Sequence, residues 1–225
     1  MPLRTLYVLV AIAVGAVGLG LDFYVIAGTM GPPQNRSAPN FLVYYATFLT
    51  NLSNFGLILV YLSDLTRWPW LGWFRHPVAR AGMGGIMLLV MGFYHFMLAP
   101  TLTQLTGPIV VSNYLLHYAT PLLYLGWWAA FTAHGTLRVR DVPAMLVPGL
   151  LYVAYVLVRG LVAGEYPYTI LDPGFALPGG RPGGYLTVGI SVAVLVVVVA
   201  IFDLLLAGID GLIAGRRQSA SRGQT

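Results

Sequence analysis

The chain has no cysteine and no lysine, and few charges of either sign. Without cysteine it has no disulfide, no thiolate nucleophile and no Cys-ligated metal. Without lysine there is no Schiff-base chemistry, and all twelve basic residues are arginines. Only 8% of the residues are charged, against about 25% in a soluble domain, while 58% are hydrophobic. A wet surface cannot be built from that supply, and repeated apolar runs of about 20 residues indicate an integral membrane protein. A length of 225 residues allows one compact bundle and no second soluble domain. The net charge of +5 is assigned to arginines at the membrane surface. No basic stripe interleaved with aromatics is present, so no nucleic-acid partner is expected.

What is present is hydrophobic length. The predicted fold class is all-α: a polytopic membrane protein with six transmembrane helices in one bundle spanning residues 1–225. The expected spans are Thr5–Gly28, Phe41–Asp64, Arg80–Pro100, Ser112–His134, Val142–Ala163 and Tyr185–Ile213. The first is too long for a signal peptide, and "GLDFYVIAG" offers no small-residue cleavage site. Nine arginines (4, 67, 75, 80, 138, 140, 216, 217 and 222) fall on one side of this topology and three (36, 159 and 181) on the other. The positive-inside rule then places both termini in the cytoplasm. The loop from Gly164 to Gly184 becomes external and long enough to cap the bundle. Ala11 with Gly15, Ala16 with Gly20, and Gly82, Gly84 and Gly85 are expected to let helices approach closely. The two halves show no repeat of the kind found in inverted-repeat transporters.

The second span is too polar for lipid. Within "FLTNLSNFG", Thr50, Asn51, Ser53 and Asn54 crowd five positions. With Thr47, the residues Thr50, Asn51 and Asn54 follow an i, i+3, i+4, i+7 pattern that makes one helical stripe. Lipid cannot satisfy amides and hydroxyls, so the stripe must face the bundle interior. Hydrogen bonding between helices would explain it without any chemistry. The other spans add ionisable groups at one depth: Asp22, His95, His117 and Arg159 all fall in the outer half. At 1.5 Å per residue they lie on the order of 6–10 Å below the outer surface, and Thr50 roughly 13 Å. Buried ionisable groups inside a membrane are functional candidates. Pro121, four residues after His117, is expected to strip the His117 carbonyl of its helical partner and bend the fourth span.

With no Cys and no Lys the available nucleophiles are hydroxyls, and His is the base suited to neutral pH. Thr50 or Ser53 would need a histidine within reach, either His117 or His95, and spacing does not choose between the two hydroxyls. Asn51, Asn54 or Arg159 could donate to an oxyanion, and Asp22 could orient the imidazole. Arg159 could instead hold a substrate carboxylate. Zinc on His95, His117, Asp22 and Glu165 is the competing chemistry, but the histidines lie on different helices without ligand spacing. Neither a metal nor a cofactor is expected. His76 and His134 are expected to face water beside Arg75 and Arg138, and Asp203 to pair with a neighbouring helix.

Three segments, "FLTNLSN", "LLHYATP" and "LVRGLVAGEYPYTILD", resemble the androgen-induced-protein family of six-helix membrane proteins, and more closely its bacterial members. The resemblance follows the order of all six helices, with specific motifs over about residues 41–173. It implies an intramembrane hydrolase of fatty acid esters of hydroxy fatty acids, with the threonine role on Thr50 and the histidine role on His117. The "TNLSN" run and the "EYPY" loop follow the bacterial pattern, which leaves the ester open and implies a bacterial cytoplasmic membrane. The expected partners are a fatty-acyl ester and membrane lipids, with homo-oligomerisation open. The rival reading is a transporter or lipid-binding protein whose pocket is lined by the same residues. That reading expects polar groups to continue to the cytoplasmic side.

Overall fold

The computed structural model describes residues 1–28, 37–178 and 180–222, so Arg36 lies outside the described residues. The described residues form eight α-helices: α1 (Leu3–Ala27), α2 (Ala38–Tyr45), α3 (Leu49–Thr66), α4 (Pro77–Phe93), α5 (Pro108–Tyr114), α6 (Thr120–Phe131), α7 (Val142–Ala163) and α8 (Gly184–Arg222). Among the described residues the only β pairing is an isolated bridge between Ala176 and Pro182. With their short helical extensions, Leu3–Ala27, Pro77–Thr101, Val139–Ala163 and Gly184–Ser219 are long and apolar enough to cross a membrane. The protein is all-helical and membrane-embedded. Its large exposed side chains, among them Val162, Leu186 and Leu151, are the apolar exterior that lipid solvates.

The second and fourth expected spans are helical but not regular. The second breaks at Ala46–Phe48, between α2 and α3, so Thr47 sits in the break and not on one face with Thr50, Asn51 and Asn54. A break in an apolar setting frees backbone groups that need partners. The Thr47 hydroxyl donates to the Val43 carbonyl at 2.8 Å, Asn51 Nδ2 to the Tyr45 carbonyl at 3.2 Å, and the Tyr152 hydroxyl to the Thr47 carbonyl at 2.8 Å. Part of the polarity of "FLTNLSN" therefore serves the interruption itself. The fourth span runs through α5, a π-helical turn at Leu115–Ala119, and α6. A second π turn, Tyr94–Leu98, extends α4.

The glycines divide. A Cβ on Gly18 would come within 2.8 Å of the Leu116 side chain, and one on Gly82 within 2.8 Å of the Met145 carbonyl oxygen. These are true close approaches. Gly20 would meet nothing within 4 Å and Ala16 is exposed, so that expected pair makes no interface. At Gly85 a Cβ would lie 2.1 Å from Asp203 Oδ1. Asp203 is fully buried, and its carboxyl oxygens have no hydrogen-bond partner among the described residues. The expected polar pairing is absent because α4 meets α8 there through a bare glycine. Gly85→Ala is expected to destabilise the bundle by about 1–3 kcal/mol through overpacking. Adding Asp203→Ala should restore most of the loss, as read by thermal unfolding in detergent.

Two turns beyond Asp203, α8 continues to Arg222 instead of ending near Ile213, and its last turns are tied to the α6–α7 loop. Asp210 Oδ2 accepts the backbone N–H groups of Gly135, Thr136 and Leu137 at 2.8–3.0 Å. Its Oδ1 lies 2.8 Å from His134 Nδ1, and Arg217 donates to the carbonyls of Ala129, Ala130 and Thr132. The His134 side chain is thus buried against Asp210 rather than facing water, whereas His76 is exposed as expected.

Candidate active site

Thr50 is the second residue of α3, immediately after the break. That position places it in the first turn, where backbone N–H groups lack helical acceptors and the dipole favours negative charge. His117 lies in the π turn, whose extra residue changes which carbonyl Pro121 leaves unserved. Thr120 N–H reaches back five residues to Leu115 O. In that wider register the carbonyl opposite the missing Pro121 N–H belongs to Leu116, not to His117. The Leu116 carbonyl accepts from Asn54 Nδ2 at 3.1 Å, and the Thr120 hydroxyl oxygen lies 3.1 Å from it.

Asn54 is fully buried and fastens both halves of the site. Its Nδ2 also donates to the Thr50 carbonyl at 2.8 Å, and its Oδ1 accepts from the Thr120 hydroxyl. With its capacity consumed this way, Asn54 positions the site and has no donor left for an oxyanion. Asn54→Leu is expected to lower stability by about 2–4 kcal/mol, since it leaves buried carbonyls unserved. Thermal unfolding followed by tryptophan fluorescence would check this.

The structure brings Thr50 and His117 together: Oγ1 lies 3.2 Å from Nε2. The other ring nitrogen, Nδ1, is 3.0 Å from the Asn113 carbonyl oxygen. A carbonyl only accepts, so Nδ1 carries the hydrogen, and in the neutral ring Nε2 is left as the acceptor for the Thr50 hydroxyl. The Tyr94 ring stacks on the imidazole, with centroids 4.0 Å apart and an interplanar angle of 21°, and fixes its plane. Both π turns thus meet at His117. Ser53 turns away and donates to the Thr50 carbonyl at 3.1 Å. Its hydroxyl is spent on the backbone, so of the two it is Thr50 that meets the imidazole.

The remaining expected residues are dispersed. His95 is exposed and pairs with the Tyr118 hydroxyl at 3.0 Å, away from His117. Asp22 is buried beside Asn51 and Tyr45, so the backbone of Asn113 and not Asp22 orients His117. Asn51 serves the α2–α3 break. Arg159 donates to the Glu165 main-chain oxygen at 2.9 Å and to its carboxylate at 2.8 Å, and it is not part of the cavity wall. Among the described residues no group of three or more His, Asp or Glu is placed to hold a metal.

Tyr168, unassigned in the sequence although it closes the quoted "EYPY", enters the site from the α7–α8 loop. Leu49 N–H donates to its hydroxyl at 3.2 Å, and Thr50 and Tyr152 are its side-chain hydrogen-bond neighbours. Its ring is clasped edge-on by Phe48 and Phe93, at 6.4 and 5.7 Å. Burial raises the phenol above its ordinary pKa, which keeps it a neutral donor. No periodicity reaches this residue, because it lies outside every helix.

Thr50, His117, Tyr152 and Tyr168 edge a cavity between α4, α7 and α8, whose other walls are apolar. Leu150 is part of the wall and yet 44% exposed, so there the wall is one side chain thick. Compared with known proteins, the chain matches no family model, no curated protein and no solved structure.

Proposed function

We propose that this protein is an intramembrane hydrolase of lipid esters, with Thr50 as nucleophile and His117 as general base. One observation carries the reading: a hydroxyl 3.2 Å from an imidazole nitrogen whose acceptor role is set by the Asn113 carbonyl, at the polar end of an apolar cavity. The resemblance to the androgen-induced-protein family assigns the same two residues, and fatty acid esters of hydroxy fatty acids are the first substrates to try.

In the proposed reaction, Thr50 Oγ1 attacks the ester carbonyl carbon while His117 Nε2 takes the hydroxyl proton. The negative charge that develops on the carbonyl oxygen is met by the Tyr168 hydroxyl and by the positive end of α3. The intermediate collapses by breaking the C–O bond to the alcohol, which leaves with the proton from His117. Water, deprotonated by His117, then attacks the acyl-Thr50 ester. The fatty acid departs, and the proton returns to Thr50.

The topology proposed with this chemistry has six spans, both termini cytoplasmic, and the Thr50–His117 pair in the outer half of a bacterial cytoplasmic membrane. A transporter fits less well, because the cavity wall ends at Met145 and Val199, where Met145 packs against Ala81 and Val142.

The test is to incubate the purified protein in detergent with a panel of fatty-acyl esters and a fluorophosphonate probe. Hydrolysis and probe labelling are expected in the wild type, with both lost in Thr50→Ala and His117→Ala. Turnover that survives both substitutions would end the proposal. Lipid flux into proteoliposomes without hydrolysis would favour the transporter. Single cysteines introduced into this cysteine-free chain would report sidedness through membrane-impermeant labelling.

A further inference from the structure

The cavity carries more than a mouth. On each of three helices its wall spans the same two turns: Phe93 to Ile86 on α4, Tyr152 to Met145 on α7, and Val192 to Val199 on α8. Seven residues at 1.5 Å each make a depth of about 10 Å. The polar groups stand at one end, where the Tyr152 hydroxyl donates to the Thr47 carbonyl, and the apolar floor at the other, where Met145 is buried with Ala81 and Val142. An extended alkyl chain of ~1.5 Å C–C bonds advances about 1.25 Å per carbon, so about eight carbons fill that depth.

Midway down the wall sits Gly149, and a Cβ built on it meets nothing within 4 Å. The contrast is with Gly82 and Gly85 on α4, where a Cβ would collide with Met145 or Asp203. Those glycines are explained by helix contact, whereas Gly149 borders open space. A glycine in a helix interior costs about 1 kcal/mol relative to alanine, and here no neighbouring helix requires it.

We infer that the cavity is a channel for one unbranched acyl chain of the substrate, and that Gly149 sets its usable length. The assignment of the ester end to Thr50 rests on the hydrolase reading; the channel itself does not. A single acyl tail enters beside Thr50 and runs down between α4, α7 and α8, with its methyl end over Met145. A leucine at residue 149 would project into the channel about 5 Å, or one helical turn, below its mouth, leaving room for about four carbons.

Two measurements test this separately from catalysis. In the Thr50→Ala protein, octanoic acid bearing a terminal diazirine is expected to photolabel the peptide containing Met145. Adding Gly149→Leu should reduce that labelling at least tenfold, while butyric acid bearing the same group still labels the mouth. In the catalytically intact protein, hydrolysis of butanoyl, octanoyl and hexadecanoyl esters is compared. Gly149→Leu should lower the octanoyl-to-butanoyl rate ratio at least tenfold, and Met145→Ala, which deepens the floor, should raise the hexadecanoyl-to-octanoyl ratio. Met145→Ala keeps the inference exposed to refutation if Gly149→Leu does not fold.

Photolabelling of Met145 that depends on residue 149, without any esterase activity, would sustain the channel and sink the hydrolase. Hydrolysis with chain-length ratios unchanged by both substitutions, or labelling indifferent to residue 149, would overturn the channel whatever the chemistry.

Discussion

Thr50→Ala is expected to lower ester turnover by ~10³-fold or more, because the side chain that forms the acyl intermediate is gone. His117→Ala should fall about as far, and the double variant little further. Groups that act as one unit do not lose rate additively. The near-identity of single and double variants is the informative outcome, since two independent contributions would multiply. Thr50→Ser should retain measurable turnover by keeping the hydroxyl at the start of α3, whereas Thr50→Val keeps the shape and should be as inactive as alanine. Neither Thr50→Ala nor Thr50→Val should unfold the protein. Thr50 is half-buried, and its side chain meets His117 and Tyr168, not a packed core. A variant that melts normally and hydrolyses nothing would locate the loss in chemistry. Normal turnover by Thr50→Val would remove the nucleophile from the mechanism.

Tyr168→Phe is the second large effect expected: a drop of about 10²–10³-fold in kcat, the size seen when one oxyanion donor is removed. The substitution keeps the ring held between Phe48 and Phe93. It deletes the oxygen that accepts from Leu49 N–H and neighbours Thr50. A loop residue that merely shut the cavity would change KM, or the opening rate for all substrates. A donor used in the transition state changes kcat with KM little altered. Stability should fall by only about 1 kcal/mol, the net worth of one hydrogen bond. Comparing Tyr152→Phe, whose hydroxyl serves the Thr47 carbonyl instead, would separate loss of a catalytic donor from loss of a structural one.

Composition alone settled the environment and the fold class of this chain. So little charge and so many apolar runs leave a helical, membrane-embedded bundle as the way to satisfy every backbone group in lipid. The residue types also narrowed the chemistry: with no Cys and no Lys, a hydroxyl beside a histidine was the nucleophilic option at hand. Periodicity failed where helices depart from 3.6 residues per turn. A stripe through Thr47 needs a continuous second span, and a freed His117 carbonyl needs an α turn before Pro121; a break and a π turn stand there instead.

The partners of each polar side chain were decided only in three dimensions. Depth in the bilayer places Asp22, His95, His117 and Arg159 at one level, but depth carries no direction around a helix. His95 therefore faces Tyr118, Arg159 faces Glu165, and Asn54 is consumed by carbonyls. Tyr168 comes from a loop, and its reach to Leu49 crosses 119 residues of sequence. Contacts of that span follow from how the helices pack together, which neither composition nor local pattern encodes.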